Sequence, residues 1–322
     1  MKLFSRHTVC VLGVVLTRGA LTQAYRIKDS YVGQDFYNSW TWETFDDPTH
    51  GRVDYVDKWT SMNSNLSYAT DKKFIMRVDA TNIVSPSSRG RASVRIISDA
   101  VYSDSVTVLE LTHMPEGCGT WPAFWSLSAR GPWPKGGEID IIEGVNKNIR
   151  NLASLHTAPG CTMKPFRDQS GMTVSTDCDT SVNYNQGCGS SFIKPFSYGA
   201  AFNMAGGGWY VMERSRNKGI SVWFWSRGDY SVPWAIRNGS TEFMVNPSWG
   251  LPDAHFSIES CDYNSMFDAH RMVFDTTFCG DWAGADWPNS ECGSGTCNDF
   301  VNNNPRAFKK TYWEIDSLRV YT

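Results

Sequence analysis

The chain has 322 residues, 30 Lys and Arg against 33 Asp and Glu, a net charge of −3 and as many as 14 Trp. Its basic residues are scattered, not gathered into a stripe, so no nucleic-acid partner is expected. No stretch reaches the ~20 apolar residues of a membrane-spanning helix, and one large domain is the simplest count.

In chain order, residues 1–24 read as a secretory signal peptide: Lys2 and Arg6 precede the apolar run 9–16, and a small-residue end closes at Ala24. The domain is then 25–322, and a secreted, extracellular protein is expected. Removing the leader takes Cys10 and leaves an even set: Cys118, Cys161, Cys178, Cys188, Cys261, Cys279, Cys292 and Cys297. In an exported chain that predicts disulfides, with the pairing left open. Two sequons, at Asn65 and Asn238, fit the same route.

No helical period lasts more than a turn or two, whereas short alternating or β-branched runs recur. Strands are predicted over 74–81, 93–98, 105–113, 208–215, 220–227, 270–278 and 312–321, separated by Gly, Pro, Asn and Ser. The fold class is all-β, a sandwich of antiparallel sheets. About half of the Trp belong to its core; the rest suit sugar, because an indole face packs on a pyranose ring while its N–H bonds a hydroxyl.

The run GGEIDIIEG, residues 136–144, carries the chemistry. On a strand Glu138 and Asp140 share one face and Ile139 and Ile141 the other. Glu143 breaks that parity and would point into the core, where an unpaired carboxylate is costly. A β-bulge at Ile141 or Ile142 returns it to the face of the other acids. Three acids so placed repel one another and raise at least one pKa, an arrangement that serves catalysis better than stability. Paired carboxyls are what glycoside hydrolysis uses. The chain has no GxSxG elbow or Walker loop and no zincin spacing among its histidines. No cofactor or metal is expected.

GGEIDIIEG resembles the signature of glycoside hydrolase family 16 in its laminarinase-like branch, with further likeness in WPAFW (121–125), SLHT (154–157), FNMAGGGWYVMER, VWFWSR and FDTTFCGDWAG. Within that branch the likeness is to fungal endo-1,3(4)-β-glucanases. The resemblance implies a β-jelly roll with a concave substrate cleft. It casts Glu138 as nucleophile, Glu143 as acid/base and Asp140 as the acid that tunes the nucleophile. It also implies that Trp121, Trp125, Trp133 and Trp282 line the cleft, that His156 stands near the acids and that Arg95 and Asn203 touch substrate, with structural packing the competing reading for each. The triple glycine 206–208 reads as a loop close to substrate or as a tight turn.

Three functions follow: hydrolysis of 1,3-β- or mixed 1,3/1,4-β-glucan, transglycosylation by the same double displacement, and non-catalytic glucan binding. The intact acids argue against the last. The sequence ends in the strand-like YWEIDSLRVYT rather than an apolar tail, so no membrane anchor is expected. The expected partner is a β-glucan polysaccharide, met by a monomer.

Overall fold

Alternation of apolar and polar residues builds two antiparallel sheets. The computed structural model describes residues 24–322, so the leader reading and Cys10 lie outside the described residues. One sheet runs, edge to edge, through Glu242–Met244, Ala24–Tyr31, Tyr312–Tyr321, Ser105–His113, Gly208–Ser215, Gly219–Ser226 and Ala254–Phe256, with Phe74–Arg77 and Ser67–Ala69 branching from Tyr312–Tyr321. The other runs Met172–Thr173, Cys188–Ser191, Leu152–His156, Glu138–Glu143, Thr120–Ser128, His270–Phe278, Ile96–Ser98, Trp40–Trp42. Consecutive strands pair in places, as Gly208–Ser215 with Gly219–Ser226, but others meet from far apart in sequence, as Ala24–Tyr31 with Tyr312–Tyr321 and Thr120–Ser128 with His270–Phe278, as expected of a jelly roll.

Between the sheets lies the main core. Leu109, Leu111, Tyr210, Met212, Val222 and Phe224 enter from the first sheet and meet Phe124, Ile139, Leu155, Met272 and Phe274 from the second. Each such side chain contributes about 1.5–3 kcal/mol by leaving water. A second core covers the outer face of the first sheet, where Trp209, Val211, Trp223 and Trp225 pack under Ile236, Phe243 and Trp249. The Trp therefore divide by role: Trp40, Trp42, Trp209, Trp223, Trp225, Trp249, Trp287 and Trp313 are buried, whereas Trp121, Trp125 and Trp282 are half-buried and Trp133 exposed.

All eight described cysteines are paired, as Cys118–Cys292, Cys161–Cys261, Cys178–Cys188 and Cys279–Cys297. The strand predicted over 93–98 is in fact two pieces: Arg91–Ser93 pairs in parallel with Val53–Tyr55, and Ile96–Ser98 joins the second sheet. Arg95 sits at the break because its guanidinium needs ion-pair partners that a sheet-core position cannot offer.

The strand Glu138–Glu143 starts from a turn that only glycine fits. Gly136 and Gly137 have φ of 77° and 80°, and a Cβ on Gly137 would lie 2.4 Å from the Phe267 ring. His270 Nε2 donates to Gly136 O at 2.7 Å. Burial, followed by the nearby Arg214 charge, drives the His270 pKa down to about 3, so this brace is neutral.

Candidate active site

The predicted bulge is present. Against Leu152–His156, Asp140 pairs with Ser154 and Glu143 with Leu152, so Ile141 and Ile142 together face the single residue Ala153. Against Thr120–Ser128, the register skips from Asp140 to Ile142. Both isoleucines turn into the main core, which leaves Glu138, Asp140 and Glu143 on the opposite face. On that face, alternate residues of the neighbouring strands Thr120–Ser128 and Leu152–His156 surround the acids.

Each carboxyl has its own donor. Trp133 Nε1 gives a hydrogen bond to Glu138 Oε2 at 2.6 Å, Ser154 Oγ to Asp140 Oδ2 at 2.9 Å, and Trp121 Nε1 to Glu143 Oε1 at 2.8 Å. His156 Nε2 stands 3.4 Å from Asp140 Oδ2, and its Nδ1 lies 2.9 Å from Asn185 Oδ1. Glycine is required beside it, since a Cβ on Gly187 would lie 2.8 Å from His156 Cε1. The sequence places Ser154 two residues from His156, on the same face of one strand, so period-two reading could have found it. Asn185 comes from the loop closed by Cys178–Cys188, and no local signal points to it.

Burial raises the pKa of two of these acids, Asp140 and Glu143. Burial, then the charges of Glu138 and Glu143, pushes Asp140 well above the usual carboxylate range. Asp140 therefore holds its proton more tightly than a solvated carboxyl does. Desolvation raises Glu143 to about 7, against the opposing pull of the Trp121 hydrogen bond and His156. Glu143 can therefore carry a proton near neutrality. Ligand atoms of Glu138, Asp140 and His156 lie within 4.8 Å of one another, close enough to hold a cation. Each nevertheless has a protein partner already.

Trp125 is fixed from behind. Its Nε1 donates to Asp275 Oδ2 at 3.0 Å, and the Arg95 guanidinium stacks 5.0 Å from its ring. Arg95 in turn pairs with Glu43 at 2.8 Å and Asp275 at 3.0 Å, and also lies 4.9 Å from the Phe45 ring. Arg95 is nearly buried, packed against the Trp125 ring. Asp275 and the exposed Phe45 were not foreseen; their link to Trp125 crosses strands distant in sequence. Trp282 meets Trp121 edge to face at 5.7 Å, so the predicted tryptophans other than Trp125 are joined to the acids directly or through one another.

Asn203 is not brought into this set. Its amide accepts from Met114 N and donates to Met114 O and Glu116, bracing the turn after Ser105–His113. Its side chain is held there by these protein partners. The adjoining glycines are a tight turn against protein: a Cβ on Gly207 would lie 2.0 Å from Leu111 O.

With this geometry stands a family match, since the XgeA-like catalytic GH16 domain covers residues 40–321. The chain belongs to glycoside hydrolase family 16. It is 41% identical to a probable glycosidase of Schizosaccharomyces pombe, over 93% of this chain and 70% of that protein. It is 38% identical to a probable endo-1,3(4)-β-glucanase of Aspergillus fumigatus, over 93% of this chain. The chain spans about half the length of the Aspergillus relative, 46%. Laminarinase 16A of Phanerochaete chrysosporium, solved with 6-O-glucosyl-laminaritriose in both donor and acceptor sites, is 46% identical with a TM-score of 0.90, over 93% of this chain and 100% of that one. An elongating family 16 β-1,3-glucosyltransferase is 37% identical with a TM-score of 0.85, over 92% and 100%.

Proposed function

We propose that this family 16 protein is a secreted, monomeric retaining endo-β-glucanase that hydrolyses 1,3-β- or mixed 1,3/1,4-β-glucan. The observation that carries this reading is the bulged strand, which sets Glu138 and Glu143 on one face, with burial raising the Glu143 pKa to about 7. Glu138 attacks the anomeric carbon while Glu143 protonates the leaving oxygen. The bond to the leaving sugar breaks as the glycosyl ester forms. Glu143, now a base, then takes a proton from water, whose oxygen displaces Glu138. Asp140, protonated and 3.4 Å from His156, keeps a second full charge away from the nucleophile.

Trp121, Trp125, Trp133 and Trp282 supply the ring faces for glucose. Four disulfides are in keeping with an oxidising compartment. The double displacement needs no cofactor. Transglycosylation is the second reading, favoured by the likeness to the glucosyltransferase. It differs only in whether water or a sugar hydroxyl meets the glycosyl-enzyme.

Digestion of laminarin followed by NMR and chromatography tests both readings. The expected first products are shorter oligosaccharides in the β configuration, at a rate that falls above about pH 7 as Glu143 loses its proton. α-Configured first products would overturn retention, and products longer than the substrate would select transfer.

A further inference from the structure

A bulge frees backbone groups that a regular ladder would pair. Here the freed pair is the C=O of Ile141 and the N–H of Glu143, and one side chain takes both. Asn151 Nδ2 donates to Ile141 O at 2.8 Å, and Asn151 Oδ1 accepts from Glu143 N at 3.1 Å. Because one partner is a carbonyl and the other an N–H, the amide has only one workable orientation.

Asn151 is itself anchored and fully buried. Its N–H donates to Ser197 Oγ at 3.2 Å, and its C=O accepts from Phe192 N at 2.9 Å. The Glu143 carboxyl is held separately by Trp121. Asn151 thus grips the backbone of Glu143 across the bulge, and the proposed chemistry has not used it.

We propose that Asn151 is a positioning residue for the acid/base: its amide holds the bulge that aims Glu143 at the leaving oxygen. The inference rests on the reading of Glu143 as acid/base. Alanine leaves two buried backbone groups unpaired. Aspartate keeps the shape but sets a carboxylate oxygen against Ile141 O and adds negative charge near Glu143. In either variant Glu143 shifts while Glu138, five residues earlier, keeps its own partners.

The test compares kcat/KM, which reports steps through glycosylation, on two substrates. One is a laminari-oligosaccharide, whose sugar leaving group needs protonation; the other is a 2,4-dinitrophenyl β-laminari-oligosaccharide, whose acidic phenol does not. For Asn151→Ala and Asn151→Asp we expect a loss of about 10²-fold on the first, the scale of a 1 Å misplacement, and less than about 3-fold on the second. The ratio of the two losses is independent of the folded fraction, since one preparation meets both substrates. Equal losses on both substrates, including total loss from misfolding of both variants, or no loss on either, would overturn the proposal. Glu143→Ala serves as the reference: if it too shows no leaving-group selectivity, the acid/base reading has failed rather than the role of Asn151.

Discussion

The hairpin Gly208–Ser226 and the strand Glu138–Glu143 solve opposite problems with the same backbone. In the hairpin, register runs unbroken from Gly208 opposite Ser226 to Ser215 opposite Gly219. Its side chains alternate strictly, Tyr210 and Met212 into the main core, Trp209 and Val211 into the outer one. Nearly every residue stabilises the fold by burial. The strand 138–143 breaks its register, sends three isoleucines into the core and gathers three carboxyls, in two of which, Asp140 and Glu143, burial disfavours the charged form. Regularity serves stability; the irregular strand gives up some of it to bring three carboxyls onto one face.

Removing the nucleophile is the largest way to break that contrast. Glu138→Gln should lower turnover of laminarin by more than about 10⁴-fold while leaving glucan binding and unfolding temperature intact, because the amide cannot form the glycosyl ester. Its partner experiment separates the two glutamates. With an aryl β-glucoside bearing an acidic phenol, azide should rescue Glu143→Ala to a β-glycosyl azide and Glu138→Ala to an α-azide. The reverse pattern would swap the roles.

The hairpin should respond in the other currency. Trp225, almost fully buried and edge to face with Trp249 at 5.9 Å, is expected to cost about 3–5 kcal/mol on Trp225→Ala. Turnover per folded molecule should stay within about two-fold, as read by denaturant melts alongside assays. A selective loss of kcat would show that the two sheets are coupled in catalysis.

The smallest effect sharpens the comparison through pH. Glu143 titrates near 7 when folded against an ordinary value of 4.5, so between these pH values the folded state holds a proton that the unfolded chain has released. Its contribution is full below about pH 4.5 and is lost as pH rises through about 7. Glu143→Gln has no such proton to lose and should be more stable than the wild type at pH 8 by at most ~3 kcal/mol, with the gap closing toward pH 4. Parallel stability curves for the two proteins would show that burial does not disfavour the Glu143 anion.

Much of this protein is determined locally. Period-two alternation placed the long strands 105–113, 208–215, 270–278 and 312–321, because a strand exposes alternate residues to different faces whatever its partners are. The parity of Glu138, Asp140 and Glu143 required a bulge at 141–142, since a carboxylate cannot be left unpaired among isoleucines. An even cysteine set implied disulfides, but which sulfurs meet depends on how distant loops are folded together. The tertiary structure alone decided that Arg95 packs against Trp125, that Asn203 braces a turn, and that Asn185 and Asn151 reach the acids from loops. An amide's role is set by the donors and acceptors that meet it in space, and in a jelly roll those come from strands and loops far apart in sequence.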